Sequence, residues 1–133
     1  DAAGASGVIL VGDCTDPFSL ETVRATMGSV FATPVARASV DEFLAWKKSA
    51  GVSVVATHLA GSVDYRKIDY AGKPVVILMG NEQSGLPPEL ASKADQLARI
   101  PQQGRADSLN LAIATAVMLF EARRHLLELA PVT

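Results

Sequence analysis

At 133 residues, with 49% apolar content and a formal charge of −2, the chain has room for one domain with a substantial core, and it lacks the basic excess usual in nucleic-acid-binding domains. Its single cysteine, Cys14, excludes an internal disulfide and any multi-cysteine metal site, so a reducing cytoplasm and no metal are expected. The longest apolar stretch, Leu109 to Phe120, is interrupted by Asn110 and Thr115 and is too short to span a bilayer, and the opening residues do not have the form of a signal peptide.

In chain order, Gly7 to Gly12 reads as a short buried strand and Asp13 to Asp16 as a turn. Pro17 to Thr26 reads as a helix with Leu20 and Val23 inward, and Val30 to Val35 as a second strand ended by Pro34 and the arginine beyond. Ser39-Val40-Asp41-Glu42 has the form of a capping box, opening a helix that carries Val40, Phe43, Leu44 and Trp46 and stops at Gly51. Val52 to Thr57 is apolar or β-branched apart from Ser53, so it belongs at the centre of a sheet. His58 to Lys73 shows no period and reads as a loop with Tyr65 and Tyr70 partly packed. Pro74 to Met79 is the fourth strand, Pro87 and Pro88 suit the first turn of a helix running to about Ala94, and Leu97 to Ile100 is the last strand. Asp107 or Ser108 caps the closing helix. This alternation predicts one α/β domain with a mostly parallel sheet flanked by helices.

The closing helix is apolar or small on nearly every face from Leu109 to Phe120, whereas a helix covering one side of a sheet needs only one apolar stripe. In a domain this small, a second subunit is the economical cover, so a homodimer is expected. Basic residues cluster at Lys47-Lys48, Arg66-Lys67 and Arg123-Arg124; each pair reads as a solvated face. Any field attracting a polyanion would then come from a preceding segment or from the assembled dimer.

Two segments carry chemistry. In Val75-Val76-Ile77-Leu78-Met79-Gly80-Asn81-Glu82-Gln83-Ser84-Gly85-Leu86 an apolar strand ends in a glycine-flanked Asn-Glu pair. In the other, Ile100-Pro101 leads through a polar loop to Ser108-Leu109-Asn110 at the head of the apolar helix. Both place backbone amides and a few polar side chains at the carboxyl edge of a sheet, where open α/β sheets bind ligands. Gly80 alone reads as a turn glycine, but beside Asn81-Glu82 and the second junction it reads as a place where a ligand meets the backbone. Ser108 and Asn110 could both be helix-start residues, although capping accounts for only one of them. His58 reads as a loop residue, since no partner for a base stands beside it, and Cys14 as inert.

Together the two segments resemble the second and third motifs of the SpoU branch of the SPOUT RNA methyltransferases. That family's second motif is an apolar strand, Gly, a small residue, Glu, two variable residues, Gly and Leu, matched by Gly80 to Leu86; its third is Ile-Pro, a variable loop and Ser-Leu-Asn, matched by Ile100-Pro101 and Ser108-Leu109-Asn110. Asp16-Pro17-Phe18 and Gly28 to Val35 are similar to its middle section to a lesser degree. The resemblance implies an α/β-knot (deep trefoil) fold, S-adenosylmethionine as methyl donor, and methylation of a ribose 2′-hydroxyl in ribosomal or transfer RNA. It implies that backbone groups at Gly80, Ile100 and Leu109 hold the cofactor, with Thr57 bordering the pocket, and that Glu82, Ser108 and Asn110 lie at the reacting ribose. The family's first motif carries an arginine just upstream of text like Asp1-Ala2-Ala3-Gly4, so the chain is expected to be an N-terminally incomplete version of this domain over 1–133. The rivals are a nucleotide-binding doubly wound domain, disfavoured because no Gly-x-Gly-x-x-Gly or phosphate-binding loop follows any strand, and a non-catalytic RNA-binding or dimerisation module derived from such an enzyme.

Overall fold

The computed structural model describes residues 1–12, 33–60, 63–81, 84–105 and 109–129. The helix expected over Pro17 to Thr26 and the opening of the second predicted strand lie outside them, as does Cys14. The chain forms two compact units, Asp1–Trp46 and Lys47–Thr133.

In the first unit, β1 (Val8–Val11) pairs in parallel with β2 (Val35–Ala38). The second strand therefore starts where it was expected to end. Proline has no N–H to give to a ladder, so Pro34 stands just before the strand, its carbonyl accepting Val8 N–H at 2.8 Å. Helix α1 (Val40–Ala50) opens on the expected capping box: Glu42 N–H donates to Ser39 Oγ at 3.1 Å, and Ser39 N–H donates to Glu42 Oε1 at 3.0 Å. The Ser39 N–H, followed by the Ser39 hydroxyl, holds the Glu42 carboxyl below its ordinary range. Phe43 is buried on this helix, tilted against the ring of Trp46 at 6.1 Å between centroids.

The second unit holds four parallel strands: β3 (Ser53–Thr57), β4 (Val63–Asp64), β5 (Val75–Leu78) and β6 (Gln96–Arg99), in the spatial order β4-β6-β3-β5. As its apolar run predicts, β3 is flanked on both sides, and Val54, Val55 and Ala56 are at most 1% exposed. The stretch after His58 is not all loop. It contributes the two-residue edge strand β4 and a 3₁₀ turn over Tyr65–Lys67, too short to leave a periodic signal. Asp64 caps that turn, accepting Arg66 N–H at 2.9 Å. Tyr65 and Tyr70 are partly packed as expected, the Tyr70 hydroxyl donating to the Tyr65 carbonyl at 2.6 Å.

Helix α2 (Pro88–Lys93) begins with proline at its first turn, and Leu90 is its buried residue. Helix α3 (Leu111–Arg123) starts later than expected. Its cap is Asn110, not Asp107 or Ser108: the Asn110 Oδ1 accepts the N–H groups of Ala112 at 2.9 Å and Ile113 at 3.4 Å. Met118, fully buried on α3, packs with Val55, Ile68 and Ala98 into one core, with Ile77, Met79 and Ile100 around it. No helix among the described residues is long and apolar enough to cross a membrane.

Candidate active site

Because β6, β3 and β5 are parallel neighbours, their carboxyl ends emerge side by side. Thr57 closes β3, Gly80 follows β5 by two residues, and Ile100 follows β6 directly. Three of the four expected cofactor-binding residues thus share one sheet edge. The fourth, Leu109, is delivered by the loop that leaves the same edge, immediately before the Asn110 cap. The Thr57 hydroxyl is turned along the sheet, donating to Met79 Sδ at 3.4 Å. His58 extends the β3–β6 ladder by one bond, its N–H donating to the Ala98 carbonyl at 3.1 Å.

Gly80 has a reason to be glycine besides the one the sequence suggests. A Cβ built on it would lie 2.5 Å from the carbonyl carbon of Gly85 and 2.6 Å from the nitrogen of Leu86. The space is filled by the chain's own backbone, folded back in a tight turn. Asn81 N–H donates to the Gly85 carbonyl at 3.2 Å, Gly85 N–H donates to the Asn81 carbonyl at 2.8 Å, and Gly85 takes a φ of 68° that favours glycine. Glu82 and Gln83 are the residues between Asn81 and Ser84; their own placement lies outside the described residues, as does that of Ser108. Asn110 is described and exposed. Its carbonyl oxygen is committed to the helix cap, while its amide N–H₂ has no partner among the described residues.

Sequence reasoning missed Asp95. Its Oδ2 accepts Val54 N–H at 2.7 Å while its own N–H donates to the Val54 carbonyl at 2.9 Å, and Lys47 reaches the carboxylate at 3.2 Å. This clasp fixes β6 against β3 at the end remote from the site. The Val54 N–H, followed by Lys47, holds the Asp95 carboxyl below its ordinary value. Nothing local in the sequence marks this, because Asp95 and Val54 are joined only by the sheet.

Members of each basic cluster carry local counter-charges. Lys47 pairs with Asp95. Arg66 binds Asp64 bidentately at 3.0 and 2.7 Å, drawing the Asp64 carboxyl down to about 2, and Arg124 pairs with Glu121 at 3.2 Å. No group of three or more His, Cys, Asp or Glu side chains that could hold a metal ion comes together among the described residues. A shallow groove between the 3₁₀ turn and α3 is lined by Tyr65, Val117, Phe120, Glu121, Arg124 and Leu127.

The ends of β5 and β6, which carry the two motif segments, lie at one edge of this parallel sheet. The SpoU rRNA Methylase family matches residues 1–120, and the chain belongs to that family. It is 77% identical to an AdoMet-bound rRNA methyltransferase from Sinorhizobium meliloti, with a TM-score of 0.93 over 96% of this chain and 49% of that one. It is 33% identical to the 23S rRNA (guanosine(2553)-2′-O)-methyltransferase of Bacillus subtilis over 92% of this chain and 49% of that protein. It is 41% identical to the tRNA (guanosine(18)-2′-O)-methyltransferase of Escherichia coli over 65% of this chain and 38% of that protein. The chain therefore spans half or less of the length of these relatives.

Proposed function

We propose that the protein of which this domain is part methylates a ribose 2′-hydroxyl in ribosomal or transfer RNA, using S-adenosylmethionine. The observation that carries this reading is the convergence of Thr57, Gly80 and Ile100 at one parallel sheet edge, with the Leu109–Asn110 junction supplied by the loop leaving it. S-adenosylmethionine supplies the electrophilic methyl group. Backbone groups at Gly80, Ile100 and Leu109 hold it, and Thr57 borders it.

The chain's contribution to the reaction is placement. Methyl transfer needs the attacking oxygen in line with the methyl carbon and its proton weakened or removed. Glu82 and Ser108 act at the ribose. Asn110 acts there through its amide N–H₂, the half of the side chain that the helix cap leaves unused. The 2′-hydroxyl is the group that distinguishes RNA from DNA, so the substrate class follows from the chemistry.

The domain works as a homodimer in the cytoplasm. Ile113 and Phe120 on α3 are 55% and 49% exposed, and Ala112 and Ala116 add to an apolar outer face. A second copy of α3 covers that face. The chain is threaded as a trefoil knot, a reading supported by β3 and β4, consecutive in the chain, lying on opposite sides of β6. Transfer of a tritiated methyl group from S-adenosylmethionine to RNA by the full-length protein tests the proposal, and loss of transfer in Asn110→Ala with cofactor affinity retained tests the division of roles.

A further inference from the structure

His58 is fixed more tightly than a loop residue needs to be. Its backbone N–H is held by Ala98, and its ring Nδ1 accepts the N–H of Ala60 at 3.1 Å. The ring thus turns over the two residues that follow it, at the carboxyl end of the strand lying between β5 and β6. A ring nitrogen that accepts a hydrogen bond carries a lone pair, so the imidazole hydrogen sits on Nε2. That N–H is a donor with no partner among the described residues, on a partly buried residue directly after Thr57. The chain's other histidine, His125, follows α3.

We propose that His58 is a cofactor-binding residue, its Nε2–H donating to an acceptor atom of S-adenosylmethionine. This rests on the cofactor reading of the Thr57–Gly80–Ile100 edge. The geometry disfavours a role as base, because Nδ1 is occupied by Ala60 and Nε2 already carries the hydrogen. Its place directly after Thr57, at the sheet edge read as the cofactor site, favours the cofactor over RNA.

Two substitutions separate the two ring nitrogens. In His58→Asn the amide oxygen takes the place of Nδ1 and keeps the Ala60 bond, but the Nε2 donor is lost. In His58→Gln the amide N–H₂ reaches the place of Nε2, but the acceptor for Ala60 is lost. With the full-length protein and S-adenosylhomocysteine as calorimetric probe, His58→Asn should weaken binding about tenfold while the ligand-free protein melts as the wild type does. His58→Gln should bind more tightly than His58→Asn despite melting lower. Wild-type affinity in His58→Asn, or His58→Gln binding no better than His58→Asn, overturns the assignment and leaves His58 a turn residue. A wild-type protein that fails to bind the probe overturns the underlying cofactor reading as well, so the two failures are distinguishable.

Discussion

Thr57 and Val63 flank Ala98 from opposite sides, each in parallel register with it. β3 therefore ends on one side of Ala98 and β4 begins on the other. Ala98 is fully buried there and also lies against Met118 of α3. The position has strand neighbours on both sides and a helix on its face, so it tolerates little beyond a methyl group. Ala98→Leu is expected to destabilise the protein by about 1–3 kcal/mol through overpacking, and Met118→Ala by about 2–5 kcal/mol through the cavity it leaves. Urea unfolding of both variants checks this.

Gly80→Ala tests the turn directly. The added Cβ meets backbone rather than a flexible side chain, so the turn from Asn81 to Gly85 must move. Faster hydrogen exchange at the amides of Asn81 and Gly85, with weaker cofactor binding as a consequence, is the expected result. Weaker binding with unchanged exchange at those amides would mean that the glycine serves the ligand and not the turn.

Much of this architecture is legible in the sequence for definite reasons. The apolar run Val54–Ala56 of β3 marks a strand covered on both faces, the Ser39–Glu42 spacing marks a helix start, and Pro88 marks another. What is not legible is non-local. β4 is a strand only because β6 lies beside it, and Asp95 matters only because Val54 faces it. Of the candidate site, the placement of Gly80 and Ile100 just beyond strand ends could be read from the two motifs, and that of Thr57 from the end of the β3 run. The reason for glycine at position 80 could not, since it depends on how the following turn folds back. Nor could the capping role of Asn110, because Asp107, Ser108 and Asn110 are all acceptable caps by type.

The Asp95 clasp predicts a pH dependence. Its folded pKa is depressed, so its stabilisation is present above the unfolded value near 3.8 and is lost as pH falls through the lower folded value. Asp95→Asn should therefore flatten the acid limb of the stability curve in that window relative to wild type. Asp95→Ala leaves the N–H of buried Val54 without its acceptor, costing about 1–3 kcal/mol at neutral pH. Thermal melts from pH 2 to 7, at intervals of about half a pH unit, measure both, since the window follows the carboxyl titration.

Assembly is tested without any substrate. A carboxylate placed on the outer face of α3 by Ala116→Glu or Phe120→Glu would be buried unpaired in a dimer, at a cost large enough to outweigh the remaining apolar contacts. Light scattering of the full-length protein at micromolar concentration should give a dimer for wild type and a monomer for either variant. A monomeric wild type would leave the apolar outer face of α3 without its cover.

The central claim is transfer to a ribose oxygen, and alkaline hydrolysis reads it most directly. A 2′-O-methyl group removes the hydroxyl that attacks the neighbouring phosphate, so the labelled nucleotide survives as an alkali-resistant dinucleotide. Full-length protein, tritiated S-adenosylmethionine and total RNA from cells lacking the enzyme should place the label in resistant dinucleotides. Glu82→Ala and Asn110→Ala should lower that transfer by roughly 10²-fold or more, as loss of an oriented polar group at a reacting centre does. Label released as mononucleotides would place the methyl group on a base and contradict the account, as would bound cofactor with no transfer to any RNA.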